Sequence, residues 1–257
     1  MSPTDDLVRQ LKKLRLSGVL QSLELRTKQA VDDNLALSEF LFRLLTDEVE
    51  RREAKRLTVR LRRACFEHAK TIEDFDFAFN PSAPKAKILE LSTCAFVQRN
   101  ENVLVIGPTG VGKSHLAQAL GHRACRLGKQ VLYLGAHELL LQLRAARADA
   151  SYDKRLSRFI SPDVLIIDDL GLRNLSADES SDLYEVVRAR YAAKSTIITS
   201  NRAIEEWAPL FGNPLQASAA MDRLLHDAHV VVITGDSYRN PPPAKRKKPS
   251  QAQLEAR

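Results

Sequence analysis

Three stretches of this sequence carry residue types and spacings that could do chemistry. The first is Gly107-Pro108-Thr109-Gly110-Val111-Gly112-Lys113-Ser114. Its glycines let backbone N–H groups wrap around phosphate oxygens without interference from Cβ atoms. Lys113 brings a charge to the β- and γ-phosphates of a nucleotide, and the Ser114 hydroxyl suits Mg²⁺. A glycine-rich turn without a function would not require Lys-Ser. His115 follows directly and is a further candidate for nucleotide contact, with helix packing as its alternative role. The second stretch is Val164-Leu165-Ile166-Ile167-Asp168-Asp169, an apolar strand ending in two acids. A carboxylate leaving the sheet at its carboxyl end lies beside a phosphate-binding loop, so Asp168 is the expected Mg²⁺ partner, through water. Asp169 stands where many ATPases place a glutamate that polarises the attacking water. Its side chain is one methylene shorter, and capping a turn before Gly171 is its alternative role. The third stretch, Thr196-Ile197-Ile198-Thr199-Ser200-Asn201, ends in an amide that could order the lytic water or touch the γ-phosphate. Ser-Asn after a strand is also ordinary turn chemistry.

These groups need a sheet to bring them together. From Val103 to about Arg239 apolar runs alternate with helical stretches, which implies a parallel sheet covered on both faces. The expected strands are Val103–Ile106, Val131–Leu134, Val164–Ile167, Thr196–Thr199 and Val230–Ile233. A helix from His115 through Leu120 would present its positive N-terminal dipole to the phosphates.

Residues 1–70 hold no proline after Pro3 and a single glycine, Gly18, so they predict a small all-α N-terminal domain. Leu7, Leu11 and Leu14 form one stripe, broken at Ser17-Gly18. Leu20, Leu23 and Val31 form a second. A long helix from Ser38 is expected to bury Phe40, Leu41, Leu44, Leu45 and Val49. Its continuation carries Arg51, Arg52, Lys55, Arg56, Arg60, Arg62 and Arg63 against Glu53 alone. At 100° per residue Arg52, Arg56, Arg60 and Arg63 share one quarter of the helix surface, and the other three widen it to about half. A one-signed stripe is a candidate for phosphate-backbone contact, the alternative being an ordinary solvated face. Residues 71–100 read as a connector, with a capping-box-like Thr71-Ile72-Glu73-Asp74 and turn chemistry at Asn80-Pro81-Ser82-Ala83-Pro84. Residues 101–239 form the nucleotide-binding domain. The tail at 240–257, proline-led and basic, is expected to be disordered.

Composition narrows the class. An apolar fraction of 44% is ordinary for a globular protein, and the net charge of +7 permits a polyanionic partner without proving one. No apolar run approaches the roughly 20 residues of a membrane span, and the first residues lack signal-peptide character, so no membrane association and a cytoplasmic setting are expected. Cys65, Cys94 and Cys125 are odd in number and widely spaced, which predicts buried free thiols. His226 and His229 have no third ligand spaced to join them, and Trp207 is expected to pack.

With the three stretches placed, the chain resembles an AAA+ ATPase. Leu165–Gly171, Ser195–Arg202, Met221-Asp222-Arg223-Leu224-Leu225-His226 and Gly235-Asp236-Ser237-Tyr238-Arg239 resemble the IstB/DnaC group. Leu11–Gly18 and Thr71–Phe77 are similar to the insertion-sequence helper IstB rather than to the helicase loader. The resemblance covers residues 7–240. It implies an α/β fold with a central parallel sheet flanked by helices, ATP and Mg²⁺ as cofactors, and ATP hydrolysis. It further implies a DNA transposition helper that forms a homo-oligomer on double-stranded DNA, remodels it and recruits or stimulates a cognate transposase. Arg223 matches an arginine supplied to a neighbour's ATP, and Arg239 matches a nucleotide-sensing arginine. Thr109 departs from the family, which often has proline there. A DnaC-like helicase loader is the alternative within the fold. A small-molecule kinase would need a lid and an acceptor pocket, and a scaffold that hardly hydrolyses ATP would use the same site for binding alone.

Overall fold

The computed structural model describes residues 3–240, so the basic tail beyond Asn240 lies outside the described residues. The chain divides into two compact units, with the boundary between Val59 and Arg60. That boundary falls inside a helix rather than at a linker.

The first unit contains α1 (Pro3–Lys13), α2 (Ser17–Asp32) and most of α3 (Leu37–Ala64). Leu11, Val19 and Leu44 are its buried centre, with Leu16, Leu20, Leu23 and Phe40 packed around them. A buried carboxylate fixes the close approach of α2 and α3. Glu48 accepts the N–H groups of Gly18 and Val19 at the amino end of α2 and is paired with Arg52 at 2.6 Å. The unpaired N–H groups and positive pole of a helix start are thus met by an anion from a neighbouring helix. A Cβ at Gly18 would lie 2.6 Å from the Glu48 Cα, so the glycine permits this contact and opens α2 as well as ending the run before it.

The expected core of α3 is only partly realised. Leu44 is buried, but Leu41, Leu45 and Val49 are each more than half exposed, as are Phe42 and, on α2, Val31. Leu7 and Leu14 also reach solvent. Periodicity identified residues that share a face. With only two partner helices in this unit, one face of α3 is covered and the other is not.

The second unit holds the sheet. Its strands are β1 (Val103–Ile106), β2 (Val131–Gly135), β3 (Val164–Leu170), β4 (Ser195–Ser200) and β5 (His229–Val232), all parallel, in the order β2-β3-β4-β1-β5. Every strand begins within a residue of its expected start. Leu104, Leu132, Leu134, Leu165, Ile167 and Ile198 face one way, into a core shared with α7 (Ala136–Ala148), α8 (Tyr152–Ile160), α9 (Ala177–Arg190), α10 (Pro214–Leu225) and the fully buried Trp207. On the opposite face α6 (Lys113–Arg126) lies so close that a Cβ at Gly121 would meet Ile166 at 2.6 Å. Residues on both faces of the strands are therefore apolar, as a covered parallel sheet requires.

Residues 71–100 are more than a connector. Phe75 is buried there, as are Ile88 and Leu91 of α4 (Lys85–Leu91) and Phe96 and Val97 of α5 (Ala95–Gln98). Thr71 and Asp74 do bond to one another, with the Asp74 N–H donating to Thr71 Oγ1 at 3.3 Å, but a turn follows instead of a helix. Cys94 and Cys125 are buried, and burial pushes both thiols up to about 11; Cys65, contrary to expectation, is exposed.

Candidate nucleotide site

Strand order decides what meets at the carboxyl edge of the sheet. β4 lies between β1 and β3, so the phosphate-binding loop and Asp168 are separated by one strand, and the residues ending β4 stand between them. Register brings Ile106 level with Ser200, and the Gly107 N–H donates to the Ser200 carbonyl at 3.2 Å. Asn201 follows immediately, exposed at that edge.

The loop runs from β1 into α6 with Gly112 as the helix N-cap at φ 102°, in the left-handed region where a side chain would be strained. Space is also lacking, since a Cβ on Gly112 would sit 2.9 Å from the Phe75 ring. Gly107 is confined more tightly, because a Cβ there would fall 1.9 Å from the Ile233 carbonyl oxygen. Two segments outside the loop hold its other side. Asn80 donates its amide to the Val111 carbonyl at 3.3 Å, and the Tyr238 N–H donates to the Gly110 carbonyl at 2.9 Å. Thr109 occupies the exposed crest of the loop. Lys113 is nearly buried, and its Nζ donates to the Pro108 carbonyl across the loop at 2.9 Å. Burial lowers its pKa, opposed by Asp169 and Asp168 and reinforced by the positive charge of Arg239. Ser114, on the first turn of α6, is half-buried.

Asp168 is held from both sides. The Tyr133 hydroxyl on β2 donates to Oδ2 at 2.6 Å, and the Thr199 hydroxyl on β4 donates to Oδ1. Thr199 Oγ1 also accepts the Asp169 N–H at 2.9 Å. Burial, then the hydrogen bond and charge of Asp168, push the Tyr133 phenol well above its ordinary pKa, so it is a fixed donor. Neither hydroxyl was singled out from sequence. Tyrosine and threonine inside a strand look like ordinary strand formers, and only the lateral pairing of β2, β3 and β4 reveals their common target.

The two acids point differently because β3 contains a bulge. Ile167 pairs with Ile198 and Leu170 with Ser200, so three steps along β3 match two along β4. The extra residue leaves Asp168 buried and turns Asp169 outward with φ 55°. Aspartate tolerates this left-handed conformation better than longer side chains do, which gives a physical reason for aspartate rather than glutamate at this position. Although the residue reaches solvent, desolvation in the mouth of the site and then the Asp168 charge raise its pKa; Lys113 and Arg239 oppose the shift. Arg239 therefore faces the site from the segment after β5.

Two candidates lie elsewhere. The His115 Nε2–H donates to the Thr71 carbonyl at 3.0 Å, and the ring meets Phe75 edge-on at 5.4 Å. Burial lowers its pKa, and these contacts fit its packing role. Arg223 on α10 is tied to the far edge of the sheet. Asn102, just before β1, donates its amide to the Arg223 and Leu224 carbonyls at 3.4 and 3.2 Å. The length of β1, Val103–Ile106, about 13 Å at roughly 3.3 Å per residue, separates that edge from the loop. The Arg223 guanidinium donates to the Ala219 carbonyl at 2.7 Å and lies over Tyr184, 5.6 Å from the ring centre.

Of the remaining candidates, Arg52 is engaged by Glu48 and the Arg15 carbonyl, whereas Lys55, Arg56 and Arg63 are exposed. Arg60 is half-buried, and its Nε has no hydrogen-bond partner among the described residues. His229 pairs with Glu101 at 2.7 Å, and His226 packs on Tyr191.

The family described as IstB-like ATP binding protein matches residues 9–247. The chain belongs to this family. It is 42% identical over 248 residues to a Mycobacterium tuberculosis protein named for ATP binding in an insertion sequence, covering 96% of this chain and 98% of that one. It is 36% identical over 227 residues to the protein of Geobacillus stearothermophilus named for ATP binding in insertion sequence IS5376, covering 88% and 90%. Among solved structures the DnaC helicase loader superposes with a TM-score of 0.51 at 23% identity, covering 58% of this chain and 86% of DnaC, which shows the shared fold alone. This IstB-like chain is thus an ATP-binding α/β protein of the AAA+ P-loop type with a small helical amino-terminal part. No helix among its described residues is long and apolar enough to cross a membrane.

Proposed function

We propose that this chain is an ATP-dependent helper of DNA transposition, acting in the cytoplasm. ATP binding drives its oligomerisation on duplex DNA, the assembly remodels the target and recruits or stimulates a transposase, and hydrolysis releases it. The observation that carries this reading is the separation of Arg223 from the loop of its own chain by the length of β1. A charge at that edge is better placed for a neighbour's nucleotide than for its own, which supports a site completed between subunits. In other NTPases such an arginine is worth about 10³–10⁵ in rate.

Within the site Lys113 and the loop amides bind the phosphates, and Arg239 lies beside them in the same chain. Ser114 and Asp168 would hold Mg²⁺, which favours one or two protein oxygens with waters and phosphate oxygens completing its shell. When bound, the ion would neutralise charge on the β- and γ-phosphates. Asp169 takes a proton from the attacking water, and Asn201 orders that water. Residues 1–70 form the DNA-binding and assembly domain. The exposed Lys55, Arg56 and Arg63 supply backbone contacts, with Arg60 and Arg52 contributing only by leaving their present partners or surroundings. The uncovered Leu41, Leu45 and Val49 supply apolar surface for assembly. The family match, and relatives named for insertion sequences, support transposition over helicase loading.

The test is assembly measured by light scattering on double- and single-stranded DNA, with and without ATP. The parent chain assembles on duplex with ATP, and Lys113→Ala does not. Assembly of Lys113→Ala equal to that of the parent would contradict the proposed switch.

A further inference from the structure

A cavity of about 340 Å³ opens on the second unit, away from the phosphate-binding loop. Its walls are the 71–77 segment, α4 and the outer face of α6, where Ala119, His122, Arg123 and Arg126 recur at helical spacing. Phe75, Phe77 and Leu89 give it an apolar floor. Its rim is basic, with Lys85, Arg123 and Arg126 opposed by Glu73 alone among the lining residues. Burial lowers the His122 pKa, so at neutral pH the lining carries a net charge of +2, three cations less one anion. A phosphate backbone would use the cations and leave the floor idle. One face of the Phe77 ring already carries the Lys85 ammonium, 5.5 Å from the ring centre, which leaves less aromatic surface for a stacked base. A pocket with an apolar base and a cationic rim instead matches a peptide with one bulky apolar anchor between carboxylates.

The wall of this cavity is also a wall of the nucleotide loop. Phe75 lines the cavity and would touch any side chain at Gly112, the N-cap that precedes Lys113. Its ring packs against Phe77 at 4.8 Å and against His115 at 5.4 Å, while the Thr71 carbonyl bonds His115 Nε2. We infer that this cavity is a docking site for an acidic, apolar-anchored peptide segment of a partner protein, and that Phe75 couples its occupation to the nucleotide. The inference rests on the proposed partner-recruiting role but not on the identity of the partner or on DNA binding.

Fluorescence anisotropy with the full chain tests it. The probe is a labelled nonapeptide of aspartate and glutamate with phenylalanine at its centre. Controls are the same peptide with central alanine, its lysine counterpart, and a single-stranded oligonucleotide of equal length. The acidic phenylalanine peptide binds saturably, and the alanine and lysine versions bind more weakly. Arg123→Glu with Arg126→Glu, and separately Lys85→Glu, weaken it by at least about tenfold, since each exposed cation becomes a repulsive group. ATP binding by the two charge variants, measured separately with a fluorescent analogue, stays at the parental level, so a failure of the pocket is distinguishable from a failure of the nucleotide site. ATP and peptide alter each other's Kd by the same factor, because linkage is reciprocal. No saturable peptide binding, equal binding to the variants, or a preference for the oligonucleotide with the same sensitivity to charge reversal would overturn the docking assignment. Peptide binding without effect on ATP would overturn the coupling.

Discussion

Tyr133→Phe removes one oxygen atom and leaves the ring against Phe66, 6.3 Å between ring centres, so packing is preserved. What disappears is the 2.6 Å hydrogen bond to the buried Asp168 carboxylate. A bond to a charged group contributes about 1.5–3 kcal/mol, and the loss leaves Oδ2 poorly satisfied in a buried position. At roughly 2–4 °C per kcal/mol for a protein of this size, the expected fall in Tm is about 3–12 °C. A functional effect follows as well, because a carboxylate that has lost its orienting partner binds a metal about 10–100-fold less well. The Mg²⁺ concentration for half-maximal ATP hydrolysis should rise by that factor, while nucleotide affinity without Mg²⁺ stays unchanged. Thermal unfolding and a Mg²⁺ titration of phosphate release check both. A variant as stable as the parent with an unchanged Mg²⁺ requirement would refute the role assigned to Tyr133.

Asp169→Asn should fold and bind ATP yet lose hydrolysis by about 10²-fold or more in a phosphate-release assay. Asp169 must be deprotonated to act, and its pKa is raised, chiefly by desolvation, so parental activity should rise with pH through a value above the ordinary aspartate pKa. Arg190 is almost wholly buried and donates to the carbonyls of Phe159, Ile160 and Pro162, each at 3.0 Å, with burial pulling its pKa down to about 9. Arg190→Met strands these acceptors at the amino edge of the sheet and should cost about 3–5 kcal/mol in denaturant titrations. In the first unit Arg26 forms a two-pronged pair with Asp47 at 2.7 and 2.9 Å and lowers its pKa to about 2. This contribution is fully present above the unfolded value of 3.8 and is lost as pH falls through about 2. Hydrogen exchange of α2 and α3 should therefore accelerate over that range, and less so in Asp47→Asn.

Much of the nucleotide site was legible because its information is local. Glycines, a lysine and a serine at fixed spacing define the loop, and apolar runs ending in polar residues marked β3 and β4 beside it. What escaped depends on neighbours distant in sequence. The outward turn of Asp169 arises from a mismatch between β3 and β4, and no pattern within β3 announces it. Tyr133 and Thr199 acquire a role only when the strand order places them on either side of Asp168. The uncovered Leu41, Leu45 and Val49 show the complementary limit, since an apolar stripe states that a face needs cover without stating what supplies it. Similarly, the prolines and turns of 71–100 concealed a segment whose Phe75 and Asn80 brace the loop.

The shared site is tested most directly by mixing two inactive chains. Arg223→Ala keeps Lys113, Asp168 and Asp169 but supplies no arginine to its neighbour, and Asp169→Ala supplies the arginine but lacks the base. In an equal, randomly assembled mixture about one interface in four has both groups intact. ATP hydrolysis on duplex DNA should therefore recover to about a quarter of the parental rate, with each variant alone near zero. Hydrolysis by Arg223→Ala at the parental rate, or no recovery on mixing, would contradict a site built from two subunits.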